Sequence, residues 1–206
     1  MSEYKERFLS LAKTINREGI DKLLDFLEKS DFFTAPASTR FHCSIPEGLC
    51  IHSLNVYDKF EEKCNSAPFN ELLRDLPEDS RKIICLFHDI CKVYFYEIDW
   101  KNKKVYSDIG TKRDDHGRYD WQSVPFYTVN DKIPYGHGEK SVMMLENYIK
   151  LTAVERYAIR WHMGFTEPKE NWSYLSAAIE KYPAILAVFE SDLEATYILE
   201  KDLKAD

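Results

Sequence analysis

At 206 residues the chain is long enough for one domain with a sizeable core, or at most two small ones. Its 44% hydrophobic and 31% charged residues are those of an ordinary globular protein, and no apolar run approaches the ~20 residues that span a bilayer. A net charge of -7 argues against a sequence-indifferent binder of long nucleic acid, but a bound cation could still create a local site for a small phosphorylated substrate.

The opening stretch MSEYKERFLSLAKTINREG alternates charged and apolar residues, unlike a secretory leader. Cys43, Cys50, Cys64, Cys85 and Cys91 form no CxxC pair, so reduced thiols in a cytoplasm are expected. Phe8, Leu11, Ala12 and Ile15, then Ile20, Leu23, Leu24 and Leu27, recur at helical spacing, with Gly19 and Asp21 marking a break. Residues 30–47 hold Pro36 and Pro46 and no period, and read as a loop. Helices are predicted over 48–64 and about 78–92. The segment 94–135 differs: KVYFYEIDW and SVPFYTVNDKIPY are rich in aromatic and β-branched residues, with polar turns between them. Helices resume at about 137–150, 153–163, 172–181 and 184–203, with Pro168 and Pro183 at boundaries. The expected class is mainly all-α: a helical bundle in a single domain over 1–206, with an inserted β-hairpin or small sheet at about 94–135.

The apolar stripes of these helices are interrupted by particular polar residues. His52 lies three after Leu49 and four before Val56; Ile84 stands four before His88, and Cys85 four before Asp89. Val154 and Ala158 lead at four-residue steps to His162, and Ile185, Val188 and Phe189 run into Asp192. His137 opens its own helix within YGHGEKSV, where flanking glycines allow close approach. A lone histidine on an apolar face is more often a hydrogen-bonded core residue than a ligand. Six such groups on five separate helices are harder to dismiss, because each unpaired buried carboxylate would cost several kcal/mol. Cations between the helices would neutralise them. Imidazole and carboxylate donors suit a divalent transition metal: zinc, manganese, iron, cobalt or nickel.

The ordered set of His52, the His88–Asp89 pair, His137, His162 and Asp192 resembles the HD-domain superfamily of metal-dependent phosphohydrolases. The stretches FFTAPASTRFHCSIPEGLCIHSLNVYD, LFHDICKV, GHGEKSV and RWHMG look like those of its small stand-alone bacterial and phage members, and the likeness covers roughly residues 30–200. The resemblance implies that His52, His88, Asp89 and Asp192 hold a first ion. His137 and His162, with Asp89 bridging, would hold a second, giving two divalent ions. Cys91 stands where relatives usually carry glycine, and Glu47 where two glycines are common.

The chemistry so implied is hydrolysis of a phosphate ester, a nucleotide or related phosphomonoester or phosphodiester, by metal-activated water. Asp89 and Lys92 are the candidate catalytic pair; Lys92 would steady the phosphate, pair with Asp89, or simply end its helix in solvent. Arg40, His42 and Glu139 are candidate substrate-side residues, with a surface role for Arg40 and a dipole role for Glu139 as alternatives. His116, in a charged loop, is expected in solvent. The aromatics of 94–135 are expected mostly to pack on one another, with one or two facing substrate. Two other functions fit less well: a 3′-to-5′ exonuclease on short nucleic acid, and a non-catalytic metal- or nucleotide-binding module. The expected partner is a small phosphorylated substrate, with no membrane.

Overall fold

The first helices form where apolar spacing places them in the computed structural model, which describes residues 2–203: α1, Glu3–Ala12, and α2, Ile20–Lys29. Ser2 caps α1 by accepting from the Lys5 amide at 3.2 Å. Gly19 takes the left-handed conformation, φ 89°, that turns the chain into α2. Phe8 of α1 packs against Phe32, Phe33 and Phe87 at ring-centroid distances of 5.0, 5.4 and 5.8 Å, seating both helices on the bundle.

Two helices organise the rest: α3, Gly48–Cys64, and, after the single turn α4, Phe69–Leu72, the helix α5, Glu78–Phe87. Each contributes to two apolar cores. Leu49 and Leu54 of α3 and Ile83, Leu86 and Phe87 of α5 join the first, with α1 and α2. Val56 and Phe60 of α3 and Ile84 and Cys85 of α5 join the second. The second core is completed by α7, Ala153–Trp161, α8, Trp172–Lys181, and α9, Ala184–Glu194. The helix α6, His137–Glu146, packs beside α7. Each fully buried Leu, Ile or Phe stabilises by roughly 1.5–3 kcal/mol, enough in sum to offset a buried polar cluster.

Between α5 and α6 lies the predicted β excursion: β1, Tyr96–Tyr106, β2, Lys112–Asp114, and β3, Gly117–Val129, antiparallel in the order β1-β3-β2. Register runs from Tyr96 opposite Val129 to Tyr106 opposite Tyr119. Pro125 is tolerated because β2 pairs only with residues 117–119 of β3, leaving that stretch's outer edge free. Tyr106, Tyr119 and Trp121 contact one another at 5.7 and 5.9 Å, yet Trp121 stays 48% exposed and Trp100 62%. The rings cover one another on a surface and form no enclosed core.

The molecule is therefore mainly helical with a small sheet, as expected, but three helices end earlier than periodicity predicts; α6, expected to about 150, stops at Glu146. The helix expected to run to 92 stops at Phe87; Asp89 has φ −103° and ψ 17°, and a 3₁₀ turn follows at Ile90–Lys92. His88 Nδ1 donates to the Cys85 carbonyl at 2.8 Å, the very oxygen that the Asp89 amide would use in a continuing helix. The helix expected over 184–203 ends at Glu194 and passes into a π turn, Ala195–Leu199. Among the described residues no helix is long and apolar enough to cross a membrane.

Candidate metal centre

Five of the six histidines form a row, ring against ring: His42, His52, His88, His162 and His137, at successive centroid distances of 4.9, 5.3, 4.9 and 5.1 Å. His116 lies apart on the β2–β3 turn with a side chain 82% exposed, as expected. Each member of the row comes from a different stretch of chain. His42 lies in the loop before α3, His52 within α3, His88 and His162 at the ends of α5 and α7, and His137 at the start of α6.

Local structure decides which nitrogen faces the centre. At the ends of α5 and α7 the last carbonyls need donors, and His88 and His162 supply them: Nδ1 donates to Cys85 O at 2.8 Å and to Ile159 O at 2.7 Å. His52 Nδ1 donates to the buried Glu200 carboxylate at 3.1 Å, which also accepts from Asn55 at 2.9 Å. In all three rings Nδ1 is thereby fixed as the donor and Nε2 is left to face inward.

The inward atoms lie at ligand spacing. His52 Nε2 is 3.3 Å from His88 Nε2, 3.3 Å from Asp192 Oδ1 and 3.6 Å from Asp89 Oδ2; His88 Nε2 is 3.5 Å from that same oxygen. Donors sharing one tetrahedral ion at ~2.1 Å stand about 3.4 Å apart, so His52, His88 and Asp192 could share a cation, with Asp89 Oδ2 at like spacing from the two histidines. The other oxygen of Asp89 faces a second group: Oδ1 is 2.8 Å from His137 Nε2 and 3.6 Å from His162 Nε2. His162 Nε2 is fully buried and has no hydrogen-bond partner among the described residues, although it faces an acceptor oxygen. Two acceptors buried face to face call for a proton or a metal cation between them. The clusters His52–His88–Asp192, His88–Asp89–His162 and Asp89–Cys91–His137 can each hold a metal ion.

Burial and neighbouring charge act against each other at the cluster's ionisable groups. Burial pulls the His52 imidazole down, but Glu200 and Asp192 outweigh it and hold the ring up at about 10. Burial likewise lowers His137, and Cys91 and Asp89 raise it to about 9. Burial raises Asp89, yet Lys92, His88, His137 and His162 together keep its carboxyl well below the usual range. For Asp192 burial is again opposed, here by His52, with a net lowering. His42 goes the other way: burial, then the neighbouring His52 and Lys92, push it down to about 4.

Lys92 reaches Asp89 Oδ2 at 2.6 Å, because a 3₁₀ turn brings residues three apart over one another. A cavity of about 510 Å³ opens above, floored by His52, Asp89, Lys92, His137 and Asp192, with His42 on its rim. Tyr96 and Val129, paired at the base of the hairpin, form part of its wall. Of the other predicted substrate-side residues, Arg40 is brought elsewhere: it is exposed, over the Phe41 ring at 5.0 Å, and does not line the cavity. Glu139 pairs with Arg160, tying α6 to α7. Glu200 was not expected from sequence. In a regular helix it falls eight residues past Asp192 and about 80° round the axis; the intervening π turn re-phases the chain.

The close approach of α6 and α7 has a local cause. A Cβ on Gly138 would lie 2.1 Å from the Arg160 carbonyl oxygen, so only glycine lets His137 and His162 share Asp89. Glu47, where the resemblance leads one to expect glycine, does occupy a left-handed position, φ 64°, at the start of α3, and accepts from Ser2 Oγ at 2.5 Å. No family model matches the chain, and neither does any curated protein or solved structure.

Proposed function

We propose that the chain is a metal-dependent phosphohydrolase whose helices form an HD-type bundle, and that it cleaves the phosphate ester of a small substrate, a nucleotide or a related compound. The observation that carries this reading is the bridging posture of Asp89, one oxygen toward His52 and His88 and the other toward His137 and His162. In it His52, His88, Asp89 and Asp192 would hold one divalent ion, and His137 and His162, with Asp89, would hold a second. Such ions, when bound, supply Lewis-acid charge and bring a water's pKa down to about 7.

The remaining work falls to the chain's own side chains. Lys92 keeps one edge of Asp89 neutralised and presents its ammonium to the cavity, where a phosphate oxygen gains charge during displacement. His42, held neutral at ordinary pH, offers the substrate side a polar group without adding charge. A cavity of about 510 Å³ lies within the size range of small-molecule sites, and suits a single nucleotide better than a strand. The free cysteines accord with a cytoplasmic protein.

The protein assayed with manganese, cobalt or nickel on a monoester and a diester of p-nitrophenol tests this directly. Turnover that Asp89→Ala abolishes while the circular dichroism spectrum is unchanged supports it. Binding of a nucleotide without turnover under any metal points instead to the non-catalytic module. The exposed rings of Trp100 and Trp121 favour the 3′-to-5′ exonuclease reading, since bases stack on such rings, and a labelled oligonucleotide in the same assay separates it.

A further inference from the structure

The hairpin carries an open edge. Among the described residues β1 pairs with β3 on one side and with no strand on the other, and its residues 97–103 are all exposed. Two bonds show which backbone groups face outward. The Asn130 amide donates to Phe95 O at 2.9 Å, and the Ser107 amide to Arg118 O at 3.0 Å. Both continue the β1–β3 register, so the odd-numbered residues of β1 turn their N–H and C=O groups to β3 and the even-numbered ones turn theirs outward. The outward amide of Trp100 donates instead to the carboxylate of its own neighbour, Asp99, at 2.7 Å. The free edge of β3 is guarded: Pro125, opposite Trp100, falls in its outward set and has no amide to offer. β1 holds no proline.

We propose that the β1 edge is an interface between two copies of the chain. The two β1 strands pair antiparallel about a two-fold axis at Trp100, joining two 3-stranded sheets edge to edge. Charge selects both the occupant and the register. Even residues carry the outward groups, so even must stand opposite even. With Trp100 opposite its own copy, Asp99 faces the partner's Lys101 and Glu97 the partner's Lys103, in the non-hydrogen-bonded pairs where side chains approach most closely. One allowed step either way sets Asp99 against Asp99 or Lys101 against Lys101. Lysines on an edge commonly repel a second strand, but here acids at one end of the strand balance lysines at the other. Glu97 also faces Lys132 of its own chain at 3.5 Å, and Lys101 lies over Phe126 at 5.2 Å, so these groups already stand on the exposed face. On the opposite face Trp100 meets its copy with Ile98 on the diagonal, which covers two side chains that are each 62% exposed in the single chain. The two-fold uses both β1 edges, so assembly stops at the dimer.

Sedimentation velocity on the full chain tests this, with folding followed by circular dichroism. The wild type should form a concentration-dependent dimer. Asp99→Lys and Lys101→Asp each set like charges face to face twice across the axis, and each alone should weaken the dimer about tenfold or more. Mixed together, the two variants set opposite charges at both places and should associate with each other as the wild type does with itself. If either variant unfolds, Glu97→Lys and Lys103→Glu pose the same test one pair further out. A wild type that stays monomeric at its highest soluble concentration overturns the proposal and leaves the edge for a strand of another protein. A dimer indifferent to both substitutions, a species larger than a dimer, or a mixture of folded variants that fails to associate would each overturn it too.

Discussion

Glu200 and His52, separated by 148 residues, meet at 3.1 Å inside the bundle, with the carboxylate accepting the Nδ1 proton. Burial opposes the charge on Glu200, but His52 and Asn55 outweigh it and hold the carboxyl below its ordinary value. The contact fixes His52 so that Nε2 faces His88 and Asp192. Glu200→Gln, which keeps size but offers a weaker acceptor, should lower affinity for the first ion about 10- to 100-fold. Competition with a chromophoric chelator measures this; equal affinities would show the contact to be idle.

Gly138→Ala should separate the two sites. The added methyl meets the Arg160 carbonyl oxygen at 2.1 Å, so α6 must shift from α7 and carry His137 away from His162. Overpacking of this kind costs typically about 1–3 kcal/mol. The expected outcome is a lower melting temperature, with bound metal falling from about two ions toward one on the two-ion reading. Retention of both ions would mean that the loop before α6 absorbs the shift.

Metal uptake should release protons. The metal-free His52 and His137 stand at about 10 and about 9, so near neutral pH both rings are protonated, and each must lose a proton to ligate. Affinity for each ion should therefore rise with pH, by up to about tenfold per unit for one displaced proton, and level off above the respective value. Titration calorimetry in buffers of differing ionisation enthalpy counts the protons. A count of zero near neutrality would contradict the raised imidazoles.

A structural prediction concerns Glu155, which is fully buried and accepts from Arg17 at 2.8 and 3.0 Å, Ser80 at 2.7 Å and the Thr152 amide at 2.7 Å. It ties the start of α7 to the α1–α2 loop and to α5. Glu155→Ala strips Ser80 of this acceptor and leaves Arg17 its bond to the Lys150 carbonyl, and should cost about 1–3 kcal/mol, read by chemical denaturation. Burial raises the Glu155 carboxyl, while Arg17, Ser80 and Thr152 bring the net value below 4.5. Its contribution is thus complete above that value and fades as pH falls through the lower folded one. The variant should lose less stability than the wild type on acidification in that window.

The helices were legible because their apolar residues repeat at helical spacing; His52, His88, Asp89, His162 and Asp192 because each interrupts such a stripe, and His137 because it opens a helix between two glycines. Those six do converge. The end of α5 was not legible, since periodicity continues through Ile90 while the break comes from a ring-to-carbonyl bond that spacing does not encode. Glu200 was hidden for a related reason: in the acidic and basic run EKDLKAD it reads as a solvated charge, and only the π turn brings it inward. Arg40 beside His42 looked equally placed in TRFHC, yet backbone direction sends one outward over Phe41 and the other inward against His52.

The centre draws on residues from His52 through to Glu200, 148 residues apart, so no short stretch of the chain contains it. During synthesis the earlier ligands emerge well before the last helix and its carboxylate, and a chain grows at only about 5–20 residues per second. On the metal reading, ion capture in the final geometry must then await emergence of the segment that carries Asp192 and Glu200.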